Sequence, residues 1–522
     1  MHGATAPGKG KERVTEQTEE KPVVRTEEEA ARYRAMDEKL RPVARFLCQQ
    51  QPELALEKLR ELRRQDIFLP TELWRVYQRM GDAYYALLEV EQTTDAYWQA
   101  VTHPAGMPLR NQQELFSNYL FAIHYLPQLS DEVFHVRHFL YDTLVHTQPR
   151  FPQPRARHRH RKLRIGYLSP MFIENVTSYF LAQLLTLYDR DRYEVYCYSL
   201  LPDRDALTAE FEKHIHTLRT FPAGTFISAA AQAIYEDEID ILFDVGVHTY
   251  GGRTCQVMGY RPAPVQVAGI GYMSTSGLSC VDYFLTDRYL DPPGMHDADF
   301  SETLLRLPES HFCYTPSEAY LRAKKGYEVH APVVFGSFNK YAKLNEELLI
   351  CWREILQRVP GAKLLLKNTN GSRQERRMME RRLQKLDFPP GSYTLEPGSR
   401  DYLDRYHDID IVLDSYPYVG GATTCDALLR GVPVITRYGA RHGERFGLSL
   451  VTNVGHPEFA AATAQEYIEK AVALARDTER LRSLHAALPQ EMRRSPVMDF
   501  RGYVRAVEQA YDAIWQRWLL TH

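Results

Sequence analysis

No cysteine in this chain belongs to a CxxC pair. The seven present (48, 197, 255, 280, 313, 351 and 425) are odd in number and scattered through 522 residues. That excludes a disulfide-stapled scaffold and reads as reduced thiols in a cytosolic protein. No run of ~18 apolar residues occurs, so no membrane span is expected. The first 40 residues contain no apolar h-region, so no secretory signal is expected. Neither sign of charge dominates: 64 Lys+Arg against 67 Asp+Glu leave −3, and no global positive field marks a nucleic-acid binder. HExxH, EF-hand and Cys/His zinc spacings are lacking, which predicts no bound metal. A GxSxG elbow is lacking too, which argues against a serine hydrolase. What is there is ordinary globular composition, 44% apolar and 25% charged, in a length that allows about three domains.

Residues 1–28 are polar and charged and predict a disordered tail. From 29 to 150 the pattern is helical. Within it Tyr77, Gly81, Tyr84, Tyr97 and Ala100, followed by Pro104, fit one tetratricopeptide unit, in which small and aromatic side chains interlock two antiparallel helices. Pro52–Leu62 fits the second helix of a preceding, degenerate unit, and a generic helical bundle is the alternative. The basic segment 151–161 reads as a solvated linker rather than a phosphate or nucleic-acid contact, because the basic run stops where the first strand begins.

Beyond it, apolar runs at Leu163–Ser169, Tyr193–Leu200, Ile239–Val247, Val265–Tyr272 and Val281–Thr286 predict strands, with helices at Ser178–Tyr188 and Ile227–Glu236. The pattern restarts at Val333–Phe338, Lys363–Lys367, Ser392–Leu395, Ile409–Leu413 and Val432–Thr436, with helices at Glu346–Arg358 and Gln374–Leu386. Two such series, 162–325 and 326–485, predict two Rossmann-like halves with parallel sheets and a binding cleft between them. The remainder, 486–522, places Val504, Val507, Tyr511, Ile514, Trp515 and Trp518 on one helical face, which predicts packing against the body.

Three segments can carry chemistry. Asp410–Val434 reads as a strand ending at Asp414, a turn through Gly420 and Gly421, and a helix opening near Thr423 and Thr424. Glycines admit a ligand close to the backbone, and a helix start attracts phosphate. A plain turn with a capping threonine has the same composition. Phe335–Lys343 projects Asn339, Lys340 and Lys343 from a strand end, where a lysine can neutralise a departing diphosphate or simply sit in solvent. Asp244–Arg253 places His248 beside a Gly-Gly turn, as a proton acceptor, a sugar contact or a structural histidine; His311 lies in a looser setting.

Taken in order, Leu163–Ser169, Asp244 to Arg253 with His248-Thr249, Arg261–Gln266, Gly271–Gly277, Asp282–Asp287, Gly336–Asn339 with Lys343, and Gly421–Asp426 resemble the O-GlcNAc transferase / SPINDLY family, most of all its bacterial branch. The resemblance covers residues 160–520, with a tetratricopeptide-like segment before them as in that family. It implies an α/β chain of GT-B fold, two Rossmann-like domains behind a short all-α segment. It also implies inverting, metal-independent and cofactor-free transfer of GlcNAc from UDP-GlcNAc to Ser or Thr hydroxyls of cytoplasmic proteins, with no nucleic acid or membrane partner. Flagellin or another surface protein is the acceptor that the bacterial branch brings to mind. By position, the implied catalytic residues are Lys343, which matches the diphosphate lysine, and His248, which matches the His-Thr pair. Asn339, Arg405, Gly421, Ala422, Thr423, Thr424 and Asp426 match the nucleotide-sugar side, and Asn175, Thr249 and Tyr272 the acceptor and sugar side.

The chemistry is compatible: an in-line displacement needs positive charge where the diphosphate departs, and Lys343 with the helix start after Gly421 supplies it. The chain departs from the family pattern at Met171 and Asn175, which replace an acid and a histidine, at Lys340, at Met273-Ser274 and at Ala422. Asparagine cannot accept a proton. Either Asn175 only orients groups, with water or the donor phosphate taking the proton, or Glu174 or His248 serves, or the chain is impaired. The alternatives are another donor or acceptor (GDP-fucose to Ser/Thr, UDP-glucose to Asn) and a non-catalytic nucleotide-sugar or peptide-binding scaffold.

Overall fold

Helices at Glu27–Cys48, Pro52–Arg64, Leu73–Ala86, Val90–Thr102, Leu109–Ala122 and Asp131–Leu140 build the amino-terminal part of a computed structural model that describes residues 27–65, 68–317, 320, 328–368, 372–399 and 402–522. The expected disordered tail lies almost wholly outside the described residues. Gly81 explains the tetratricopeptide-like spacing. A Cβ there would stand 2.3 Å from the Tyr97 ring, so glycine lets Leu73–Ala86 and Val90–Thr102 close on one another. Ala100 is fully buried, and the Tyr97 hydroxyl donates to Asp82 Oδ1 at 2.9 Å. In the pair before it, Met36, Leu40 and Val43 meet Ala55, Leu56 and Leu59 in a small core shared with Val76 and Ala83 of the next unit.

Two all-parallel sheets follow. The first holds β1 (Leu163–Ser169), β2 (Tyr193–Ser199), β3 (Thr217–Thr220), β4 (Ile241–Asp244), β5 (Val265–Ala268), β6 (Tyr283–Asp287) and β7 (Thr303–Leu307) in the order β3-β2-β1-β4-β5-β6-β7. The second holds β8 (Val334–Ser337), β9 (Lys363–Lys367), β10 (Tyr393–Glu396), β11 (Ile411–Leu413), β12 (Val434–Arg437) and β13 (Ala460–Ala461) in the order β10-β9-β8-β11-β12-β13. This is the expected pair of Rossmann-like sheets. Near-continuous apolar strands make sense because helices cover parallel sheets on both faces.

The strands are shorter than their apolar runs. Asp244 Oδ1 accepts from the N–H groups of Gly246 and Val247, which turns the chain out of the sheet before Val247. Past Ala268, Gly269 and Ile270 have positive φ, 149° and 65°, and end β5.

Both halves are tied at the opposite edge by the same device. In the first, Asp240 accepts from Arg164 N at the start of β1 and pairs with the His158 ring at 2.9 Å. In the second, Asp410 accepts from Val334 N at the start of β8 and pairs with the His330 ring at 3.1 Å. The basic stretch 151–161 is therefore not a simple solvated linker. His158 is buried, Arg157 lies over the Tyr235 ring, and Trp515 and Trp518 pack edge-on to His158.

Those tryptophans belong to the last helix, Phe500–Thr521, whose six predicted apolar positions are all buried. It docks on the first half, with Tyr511 bonded to Tyr167 and Asp512 to Tyr193. The expected boundary between 485 and 486 falls inside the helix Thr478–Arg494, because Leu484 and Leu488 continue one buried stripe across it. The expected boundary at 325/326 lies outside the described residues.

Gly81→Ala should destabilise the protein by about 1–3 kcal/mol, the usual range for overpacking. A urea midpoint unchanged from the parent would contradict the interlock.

Candidate functional site at the two switch points

In an open parallel sheet, ligands bind beyond the carboxyl ends of the strands where the strand order reverses. Those points lie between β1 and β4 in one sheet and between β8 and β11 in the other. The four loops that leave these strands are 170–175, 245–249, 338–343 and 414–421. The segments singled out for chemistry thus lie at the two positions where the topology places a ligand.

The loop after β11 is organised by one carboxylate. Asp414, fully buried, accepts through Oδ1 from Ser415 N (2.9 Å) and Gly420 N (2.8 Å), and through Oδ2 from Thr436 Oγ1 (2.9 Å). A side chain at Gly420 would collide with Asp414, Thr423 and Thr424, with contacts of 2.6–3.0 Å. The helix Ala422–Leu429 then begins at Gly421 with no side chain capping it, so its first N–H groups are available to an anion.

Lys343, from the loop after β8, meets this turn. Its Nζ donates to Val419 O at 3.2 Å and Asn339 Oδ1 at 3.4 Å, and lies 3.9 Å above the Tyr418 ring. Asn339 Oδ1 also accepts from Thr423 Oγ1 at 3.5 Å. Lys343, Asn339, Gly421, Ala422 and Thr423 are therefore brought together. Burial pushes the Lys343 ammonium down to about 7; Asp414 favours its charged form and Lys340 opposes it.

Two other nucleotide-side residues have partners of their own. Arg405 forms ion pairs with Glu396 and Asp408. Asp426 accepts from the hydroxyls of Tyr314 and Tyr402, and burial raises its carboxyl to about 6. Thr424 is buried under the turn.

From the first half, the helix Val176–Thr186 points Phe180 at the Gly421 helix start. A Cβ on Gly421 would stand 3.9 Å from the Phe180 ring and 3.8 Å from that of Phe312. Asn175 caps this helix, its Oδ1 accepting from Ser178 N at 3.0 Å. Glu174 is exposed and accepts from Tyr179 OH at 3.3 Å. The contacts of Phe180 and Phe312 with Gly421 show that these edges of the two halves face one another.

His248 and Tyr272 are taken up by contacts with the helical segment. His248 Nε2 donates to Ser276 O at 2.9 Å, which leaves Nδ1 to accept from Ser117 Oγ at 3.0 Å. Both nitrogens are committed, and burial lowers the ring to about 4, so His248 is a neutral contact to the helical segment rather than a free proton acceptor. The Tyr272 hydroxyl is buried between His124 Nε2 (3.1 Å) and His138 Nε2 (2.9 Å), two histidines that burial also keeps neutral. Thr249 Oγ1 donates to Gly246 O. Gly252 shows why the Gly-Gly turn is there: φ is +64°, and a Cβ would stand 2.0 Å from Ser117 Oγ. His311 is not loosely set; it is buried against Asp287 at 3.2 Å.

Sequence reasoning gave no role to Tyr418, His124, His138 or Ser117, because no local pattern announces partners from distant elements. Among the described residues one group, His158, His160 and Asp240, has the spacing to hold a cation. It belongs to the sheet tie at the amino edge of β4, and His158 and Asp240 already bond one another there.

With the geometry in view, comparison with known proteins is specific. The model of glycosyl transferase family 41 matches residues 139–320 and 313–507. A Petunia hybrida protein named probable UDP-N-acetylglucosamine–peptide N-acetylglucosaminyltransferase SPINDLY is 35% identical over 368 residues, 69% of this chain and 39% of that one. The Arabidopsis thaliana protein of the same activity name, SEC, is 27% identical over 372 residues, 68% of this chain and 37% of that one. This chain thus spans about two-fifths of the length of these relatives. A lysine-to-methionine mutant of the Thermobaculum terrenum O-GlcNAc transferase superposes with a TM-score of 0.79 at 29% identity, over 90% of this chain and 88% of that one. The chain belongs to glycosyl transferase family 41, and its two facing sheets behind a tetratricopeptide-like segment are the expected GT-B arrangement.

The free protein should show Lys343 titrating near pH 7 by lysine-resolved NMR, and Asp414→Asn, which removes the charge favouring the ammonium, should move the midpoint lower. A midpoint at the ordinary 10.5 would contradict the buried setting.

Proposed function

We propose that this chain is an inverting protein O-glycosyltransferase that moves GlcNAc from UDP-GlcNAc to Ser or Thr hydroxyls and needs no metal. The observation that carries the reading is the convergence of Lys343 with the uncapped start of the helix Ala422–Leu429, joined through Asn339. The activity named for its relatives supports it.

In the transfer, the acceptor oxygen forms its bond to the anomeric carbon while the bond from that carbon to the diphosphate breaks on the opposite side. Negative charge grows on the departing diphosphate. Lys343 and the helix N–H groups meet it without reorganising, which is where electrostatic stabilisation is most effective. The acceptor proton goes to an oxygen of the departing diphosphate or to water. Asn175 cannot take it, and His248 has both nitrogens committed.

The names of the SPINDLY and SEC relatives both give UDP-N-acetylglucosamine as donor, and GDP-fucose is the alternative that the test must separate from it. A panel of nucleotide sugars incubated with a cell lysate separates the readings by intact mass. A gain of one N-acetylhexosamine residue on acceptor proteins is expected. A gain of one deoxyhexose assigns GDP-fucose as the donor instead, and nucleotide binding without transfer overturns the enzyme reading.

Lys343→Ala should lower kcat by roughly 10²–10³-fold with the fold intact. Because Lys343 must be cationic and its pKa lies at about 7 in the free protein, kcat/KM for the donor should fall as pH rises through about 7. Bound diphosphate favours the ammonium, so kcat should keep its plateau to higher pH. Alkaline limbs at the same pH for both constants would contradict this role for the lysine.

A further inference from the structure

The Tyr418 ring that carries the Lys343 ammonium is itself held from outside the two sheets. Phe121 and Tyr125, at the end of the helix Leu109–Ala122 and the turn after it, place their rings 6.1 Å and 5.2 Å from that of Tyr418. His124 stands 6.4 Å away and bonds Tyr272 of the first half. A small cavity at this junction is lined by His124, Met273, Pro417, Tyr418 and Glu444, so the helical segment and both halves meet there. Arg441 ties the junction further, donating to Asp131 at 2.8 Å.

The ring face is a real electrostatic partner. An aromatic face within about 6 Å of an ammonium attracts it, more strongly when the pair is shielded from water. The other contacts of Lys343 Nζ are a carbonyl and an amide oxygen, both neutral. The ring therefore sets where the ammonium rests, and the side chains behind the ring set where the ring rests.

We propose that Tyr418 is a positioning residue for Lys343, and that Phe121 and Tyr125 of the helical segment hold it there, so that this segment completes the transferase site. The inference rests on the role of Lys343 proposed above. It predicts that damage to the helical segment at these two positions lowers the rate of the chemical step, not only acceptor recognition.

The test uses the full chain with Phe121→Ala, Tyr125→Ala, Tyr418→Leu and Tyr418→Phe. Steady-state kinetics are measured alongside the carbon-labelled lysine signal that Lys343→Arg removes, whose ring-current shift reports the Tyr418 contact. Tyr418→Leu, Tyr125→Ala and Phe121→Ala should each lower kcat roughly ten-fold, the scale of one shielded cation–π contact. Acceptor KM should stay within about two-fold, and the Lys343 signal should move toward that of a free lysine. Tyr418→Phe, which keeps the ring, should restore most of the rate and the shift. If Tyr125→Ala does not fold, Tyr125→Leu replaces it.

A raised acceptor KM with unchanged kcat, or a lowered kcat with an unmoved Lys343 signal, overturns the proposal. Should the parent protein transfer no sugar at all, the functional reading fails, while the Lys343 signal still decides whether the helical segment holds the contact.

Discussion

A carboxylate with no water around it must be met by donors or lose its charge. Asp414 is met by two backbone N–H groups and a threonine hydroxyl, and in meeting them it closes residues 415–420 into one shape. That shape presents the Val419 carbonyl and the Tyr418 ring to Lys343, and brings the chain to Gly421 where the helix starts. Asp414 and Lys343 stabilise each other's charged forms. The position of the cation, the uncapped helix start and the need for glycine at 420 are thus consequences of one buried acid at the end of one strand.

The first half uses the same kind of turn for a different end. Asp244 folds Gly246 and Val247 back over the end of β4, but the loop that results faces the helical segment. Ser117, Tyr141, His124 and His138 approach there, and Gly252 and Gly277 make room; a Cβ on Gly277 would stand 2.1 Å from the His138 carbonyl. Burying cationic histidines side by side would be costly, so His124, His138 and His248 pack as neutral rings. The helical segment is built into the wall of the two-sheet body.

How much of this was legible depended on how local the determinant is. The strands β1 and β9, and the helices Ile227–Glu236 and Glu346–Arg358, match the apolar patterns residue for residue, since periodicity and burial agree there. β3, β7 and β13 are not visible in the sequence: β3 and β7 are the two edges of the first sheet, and β7 buries only Leu304 and Leu307. Thr217–Thr220 is an edge strand with no buried residue, and Ala460–Ala461 is two residues long. The runs over Ile239–Val247 and Val265–Tyr272 overstated their strands because an aspartate turn and positive φ values end them. The site divided along the same line. Lys343, Asn339, Gly421 and Thr423 lie within loops whose strand–turn–helix context the sequence displays. The partners of His248 and Tyr272, namely Ser117, His124 and His138, lie 131–148 residues away, a separation no motif bridges.

The central claim is that a lysine and a helix start jointly receive the diphosphate. Its most direct test is a crystal structure with UDP bound. The account predicts phosphate oxygens within hydrogen-bond distance of Lys343 Nζ and of the backbone N–H groups of Ala422 and Thr423. A well-ordered nucleotide whose phosphates rest elsewhere, with Lys343 still against Val419 and Asn339, would contradict it.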